Sequence, residues 1–111
     1  LPQDGPSLDD TLVALADPAR RQVIELLARQ PMRPGDLAHE VGLSASALSK
    51  HLRVLRQRGL VEETHPDFDA RVRIYSLRSA AMSELRAWID DAERAWADQL
   101  TAFAEFVEGS P

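Results

Sequence analysis

Three histidines, no cysteine, and a serine two residues before one of those histidines are where chemistry would first be sought in this 111-residue chain. Without cysteine there is no thiolate metal site, no thiol nucleophile and no disulfide scaffold. Ser49 and His51 are close in sequence, but positions two apart on a helix point about 200° from each other, so they cannot serve as nucleophile and base. No glycine-rich phosphate loop and no carboxylate pair in a credible cleft accompanies them. No catalytic residue is assigned, and the chain is not expected to be an enzyme. Metal chemistry would need nitrogen and oxygen ligands, which suit nickel or zinc. His39-Glu40, and His65 near Asp67 and Asp69, are the candidates. Their spacing compels no site, so no metal and no cofactor is assigned, and a nickel- or zinc-responsive site stays open as the alternative. His51, three residues from Leu48 and four from Leu55, borders an apolar face and reads as a structural histidine bonded to backbone. Asp90, Asp91 and Glu93 read as a solvated face.

The chemistry that remains is charge-assisted binding. The net charge is −5, from 13 basic and 18 acidic residues, but its distribution matters more than its sum. Residues 44–58 carry Lys50, Arg53, Arg56 and Arg58 and no acid, and Arg71, Arg73 and Arg78 follow, while the segments before and after are acidic. At physiological salt the Debye length is about 8 Å. A basic surface can therefore hold a phosphate while acids elsewhere are screened.

Those residues need elements to present them. At 111 residues, 44% hydrophobic and 28% charged, the chain is sized and composed as one soluble domain over 1–111. No apolar run approaches the roughly 18 residues of a membrane span, and Leu1–Pro6 does not resemble a secretory signal, so the cytoplasm is the expected location. Residues 1–7, rich in proline and glycine, read as a flexible tail. Ser7 or Asp9 can cap a short helix bearing Leu8, Leu12 and Leu15. Asp17-Pro18 starts a second helix, with aspartate as N-cap and proline at the first position. Pro34 opens a third, closed by Gly42. Ser44 caps a fourth that runs to Arg58 and stops at Gly59. Leu48, Leu52 and Leu55 give it one buried face, so Ala45, Ser46, Ser49, Lys50 and Arg53 project from the other. Leu60–Thr64 and the alternating stretch from Arg71 to Ser76 form a hairpin, with Arg71 and Arg73 on one face of its second strand. Residues 79–107 read as one long helix. The fold class is α+β and mostly helical, a winged helix-turn-helix of about five helices and a two-stranded hairpin. The helix-turn-helix spans 34–58, the wing 60–77 and the terminal helix 79–107.

A short helix, a glycine turn and a second helix with basic residues opposite its leucines suit a DNA major groove, about 12 Å wide. Residues near the start of the second helix reach base edges, and those a turn or two later meet phosphates. The DNA-binding set is Ala45, Ser46, Ser49, Lys50, Arg53 and Arg56, joined by Arg71 and Arg73 on the wing. The last helix carries Leu85, Ile89, Ala92, Trp96, Leu100, Phe103 and Val107 at steps of four or three, with Trp88 and Phe106 beside them. That stripe exceeds what a small domain covers, which points to a homodimer through the terminal helices. Its expected interface is Leu8, Leu12, Leu85, Trp88, Ile89, Trp96, Leu100 and Phe103.

Ala16-Asp17-Pro18-Ala19-Arg20-Arg21, Pro34-Gly35-Asp36-Leu37-Ala38, the run from Leu43 to Val61 and Arg73-Ile74-Tyr75-Ser76-Leu77 together resemble the ArsR/SmtB family of bacterial transcriptional regulators. The resemblance covers about Leu12 to Leu77. It implies a winged-helix homodimer bound to a palindromic operator in double-stranded DNA, usually as a repressor. It also implies that Ser46, Ser49, Lys50 and Arg53 match the base-reading helix, and Arg71 and Arg73 the wing. Metal sensing in such proteins uses cysteines on the helix-turn-helix or histidines on the last helix, and this sequence has neither. A protein co-regulator is a further partner the resemblance permits.

Overall fold

The structure, a computed structural model, describes residues 5–109. Five helices and one antiparallel hairpin follow in the order α1 (Leu8–Leu15), α2 (Pro18–Leu27), α3 (Pro34–Val41), α4 (Ala45–Gln57), β1 (Val61–Thr64), β2 (Ile74–Leu77) and α5 (Ser83–Glu108). This is the winged helix-turn-helix arrangement.

Local sequence explains several of the boundaries. The Ser7 hydroxyl accepts the Asp10 amide at 3.1 Å and caps α1. The Asp17 carboxylate accepts the amides of Ala19 at 2.8 Å and Arg20 at 3.3 Å, with Pro18 in the first turn where no amide is needed. Ser44 accepts the Ala47 amide at 3.1 Å and starts α4. Gly42 ends α3 at φ 76°, a left-handed conformation that costs any residue with a Cβ. Gly59 does the same after α4 at φ 85°, turning the chain so that the Leu60 amide reaches the Leu55 carbonyl at 3.0 Å.

The core lies where α2, α3, α4 and the hairpin meet. Val23, Leu27, Leu37, Leu48, Leu52, Leu55, Leu60 and Val61 are all buried there. Burial of each such side chain stabilises the fold by about 1.5–3 kcal/mol. The hairpin pairs Val61 with Leu77 and Glu63 with Tyr75. Met32, between α2 and α3, exchanges both backbone hydrogen bonds with Tyr75, at 3.0 and 2.9 Å. That bridge, with the buried Tyr75 ring, fixes the hairpin to the helical body.

Several boundaries differ from expectation. Of the tail expected over 1–7, residues 1–4 lie outside the described residues. From Gly5 onward the chain is packed: Pro6 is buried, and a Cβ on Gly5 would stand 2.4 Å from the Ala80 carbonyl oxygen. The second strand starts at Ile74 and not at Arg71, because the carboxylate of Asp69 turns the chain by accepting the Arg71 amide at 2.9 Å. The last helix starts at Ser83, after turns in which the Ala81 amide meets the Arg78 carbonyl at 3.0 Å.

α5 packs on α1 near its start, where the Leu8 amide donates to Glu84 at 2.8 Å. Its 26 residues then extend about 39 Å, and none of them is buried. Leu8 and Leu85 are half-covered by this packing within the chain.

Candidate nucleic-acid interface

Ser46, Ser49, Lys50 and Arg53 lie at helical intervals of three, one and three, which sets them in one stripe along α4. Leu48 and Leu55, on the opposite side, are no more than 1% exposed. All four stripe residues and Ala45 are exposed. The first turn of the stripe offers two small hydroxyls, which allow close approach to a base edge. The next two turns offer an ammonium and a guanidinium, either of which can take a base edge or a phosphate. Ser49 and Arg73 also line one small cleft of about 70 Å³ between α4 and the hairpin, with Pro34, Ala45 and Tyr75. The wing therefore stands directly beside the exposed stripe.

The basic residues are not equivalent. Lys50, Arg53 and Arg73 have no acidic partner among the described residues. Arg56 instead reaches inward and donates to the Glu63 carboxylate on β1. Glu63 is largely covered and also accepts the Tyr75 hydroxyl at 3.2 Å. Burial, followed by the Glu63 charge and hydrogen bond, raises the Tyr75 pKa. Arg58 is bonded to Asp10 of α1 at 2.9 Å, and with the Ser7 hydroxyl it holds the Asp10 carboxyl below its ordinary pKa. Arg71 sits in the turn and not on a strand face. Its guanidinium and amide both engage Asp69, which lowers the pKa of that carboxyl. The expectation of Arg71 and Arg73 on one face of the second strand therefore does not hold: both precede Ile74, where the strand starts, and Arg71 is paired with Asp69 while Arg73 has no acidic partner among the described residues.

His51 is half-buried, but its partner is a side chain and not the expected backbone group. Its Nδ1 accepts from the Arg20 guanidinium at 3.4 Å. Burial pushes the Asp17 carboxyl up, but the hydrogen bonds from the amides of Arg20 and Ala19 and the Arg20 charge outweigh it, so its pKa lies below the ordinary value. Sequence spacing gave no sign of the contacts from Arg20 to His51, Glu63 to Arg56 or Asp10 to Arg58.

His65 donates through Nδ1 to the Val72 carbonyl at 3.1 Å, and its Nε2 lies 3.5 Å from Glu63. His39, Asp36 and Glu40 line an open groove of about 440 Å³ with Arg33 and Ile74. Among the described residues, no group of three or more His, Asp or Glu side chains is placed to hold a metal ion.

α5 leaves an apolar face open. Trp96 is 63% exposed and Phe103 66% exposed, and Leu12, Trp88, Ile89, Leu100, Phe106 and Val107 are also exposed. Among the described residues, no helix is long and apolar enough to cross a membrane.

A model of bacterial regulatory proteins of the arsR family matches residues 17–63, from the cap of α2 through most of β1. The HTH-type transcriptional regulator Rv2034 of Mycobacterium tuberculosis is 34% identical over 102 residues, covering 92% of this chain and 90% of that protein. The chain belongs to the arsR family. This ArsR-family regulator is also similar to the nodulation protein NolR of Rhizobium meliloti, with 40% identity over 80 residues, or 72% of this chain and 63% of NolR. Among solved structures, an ArsR family transcriptional regulator superposes with a TM-score of 0.71 at 27% identity, covering 81% of this chain and 96% of that one. NolR from Sinorhizobium fredii superposes with a TM-score of 0.62 at 34% identity, covering 76% and 81%. The ArsR-family protein is a DNA-binding transcriptional regulator.

Proposed function

We propose that this ArsR-family regulator is a homodimeric repressor that reads a palindromic operator with α4 and steadies itself with Arg73 on the wing. It acts by binding and not by catalysis, and it works in the cytoplasm, where the DNA is. One observation carries the proposal: α4 turns its leucines inward and leaves Ser46, Ser49, Lys50 and Arg53 uncovered on one face. A regulator named as a repressor, SdpR of Bacillus subtilis, is 26% identical over 82 residues, which supports the direction of control.

The apolar face of α5 supports the dimer. Side chains such as Trp96 and Phe103 in water are unfavourable by about 25 cal/mol per Å² of apolar area, and a second copy of the same face would cover them. A two-fold axis between the copies would set their α4 helices about 34 Å apart, one turn of duplex, so the operator would be a palindrome. Arg71, tied to Asp69, and Arg56, tied to Glu63, contribute less to phosphate binding than Lys50, Arg53 and Arg73.

Genome-wide selection of fragments bound by the purified protein tests the proposal. The expected product is a short inverted repeat with half-sites one turn apart. Arg53→Ala should weaken binding to that repeat by about 1–3 kcal/mol and, where Arg53 meets a base, relax the preference at that position. Enrichment of no common sequence, or full affinity in Arg53→Ala, would remove α4 from the role assigned to it.

A further inference from the structure

We propose that Arg20 is a positioning residue for DNA recognition: with His51 it clasps α4 to the carboxyl end of α1 and sets the angle at which the exposed stripe meets a duplex. The inference rests on α4 being the helix that reads DNA.

Arg20 stands in the first turn of α2, where Asp17 accepts its amide at 3.3 Å. Its guanidinium forks three ways. Nε donates to the Ala14 carbonyl at 2.7 Å, one terminal nitrogen donates to the Val13 carbonyl at 3.2 Å, and the other donates to His51 Nδ1 at 3.4 Å. The first two contacts fall on the last turn of α1, where the helix dipole favours a cation; the Val13 carbonyl also accepts the Ala16 amide at 3.3 Å. Arg21 already serves that end, donating to the Leu15 carbonyl at 2.7 Å. What Arg20 adds is the reach to α4.

α1 is thus joined to α4 at both of its ends. Asp10, in its first turn, holds Arg58 just past the end of α4 at 2.9 Å. Arg20 joins its last turn to His51 in the middle of α4. Between these points α1 exposes Leu12, a residue of the expected dimer interface, with Val13 exposed beside it. The helix that associates therefore also holds the helix that reads.

Apolar burial is itself non-directional, so a directional hydrogen bond adds an angular constraint to the packing of the leucines below α4. A helix with its side chains has a radius of about 5–6 Å, so a rotation of about 15° swings a tip by about 1.5 Å. That is large beside the roughly 0.5 Å over which N–H···O distances normally vary. A directional contact from Arg20 to a ring seated one residue from Lys50 limits such rotation. Its loss should weaken contacts that demand alignment, and spare the diffuse attraction of cations to phosphates.

The experiment uses the full chain with two duplexes of equal length, one carrying the selected inverted repeat and one a scrambled version. Arg20→Gln, His51→Ala, His51→Gln and the double variant Arg20→Gln/His51→Ala are compared by fluorescence anisotropy at fixed salt. Arg20→Gln and His51→Ala should each lower affinity for the repeat by about tenfold, the size of one charge-assisted hydrogen bond, and change scrambled binding less than about twofold. The double variant should be no weaker than the worse single one. His51→Gln, whose amide oxygen can accept from Arg20, should recover most of the loss. Equal losses on both duplexes, additive single effects, or no recovery in His51→Gln would overturn the clasp. If Arg20→Gln does not fold, the two His51 variants decide the matter alone, since His51 caps no helix. Full affinity in Arg53→Ala would instead sink the assignment of α4.

Discussion

The salt dependence of DNA binding follows from which arginines are already occupied. Each copy exposes Lys50, Arg53 and Arg73 without an acidic partner among the described residues, while Arg56, Arg58 and Arg71 are held by Glu63, Asp10 and Asp69. A dimer would therefore bring about six cations to phosphates, and the slope of log affinity against log salt should be about −5, at about 0.9 per phosphate. Between about 50 and 200 mM salt that amounts to a loss of roughly 10³ in affinity. Were the three paired arginines to let go of their acids and join, about twelve cations would be engaged and the slope would approach −11. Glu63→Gln is the informative perturbation. It removes the charge that holds Arg56 and should free one cation per copy, steepening the slope by about 2. Fluorescence anisotropy of a labelled operator duplex across a potassium chloride series measures both slopes. A parent slope near −11, or one that does not change in Glu63→Gln, would show that the ion pairs do not withhold these arginines from DNA.

Three further outcomes are expected. Arg73→Ala should weaken operator binding more than Arg71→Ala, because Asp69 already engages Arg71; equal losses in a gel-shift titration would contradict this. If the proposed dimer forms through α5, Trp96→Glu should sediment as a monomer where the parent sediments as a dimer, since it places a charge in the middle of the exposed apolar stripe; a variant that still dimerises would refute the interface. The carboxyls of Asp10, Asp17 and Asp69 have pKa values lowered in the folded chain, so their contribution is complete above the unfolded value and is lost as pH falls through the folded one. The melting temperature should therefore drop on acidification below about pH 4, and less steeply in Asp10→Asn. An identical pH profile for parent and variant would exclude Asp10 as a source of that acid sensitivity.

The caps, the inward leucines and the outward stripe were legible because each depends on a few neighbouring residues. Asp17-Pro18, Gly42, Ser44 and Gly59 act through their own backbone, and a period of 3.6 residues sorts Leu48, Leu52 and Leu55 from Ser46, Ser49, Lys50 and Arg53. The helix-turn-helix and the bare face of α5 follow from such local rules. The wing was less legible. The turn at Asp69 shortens its second strand and occupies Arg71, and an alternating pattern alone does not reveal a side chain bonding to backbone two residues on.

The amino-acid sequence by itself determined which residues of α4 are buried and which are offered to solvent, because both follow from periodicity within one helix. Only the tertiary structure decided which offered cations are still available. Asp10 and Arg58 lie 48 positions apart, and Arg20 and His51 lie 31 apart. Whether such pairs meet depends on how α1, α2 and α4 cross in space. A salt bridge needs its charged atoms within about 4 Å, so a basic residue counts toward binding DNA only after the fold has placed its acids.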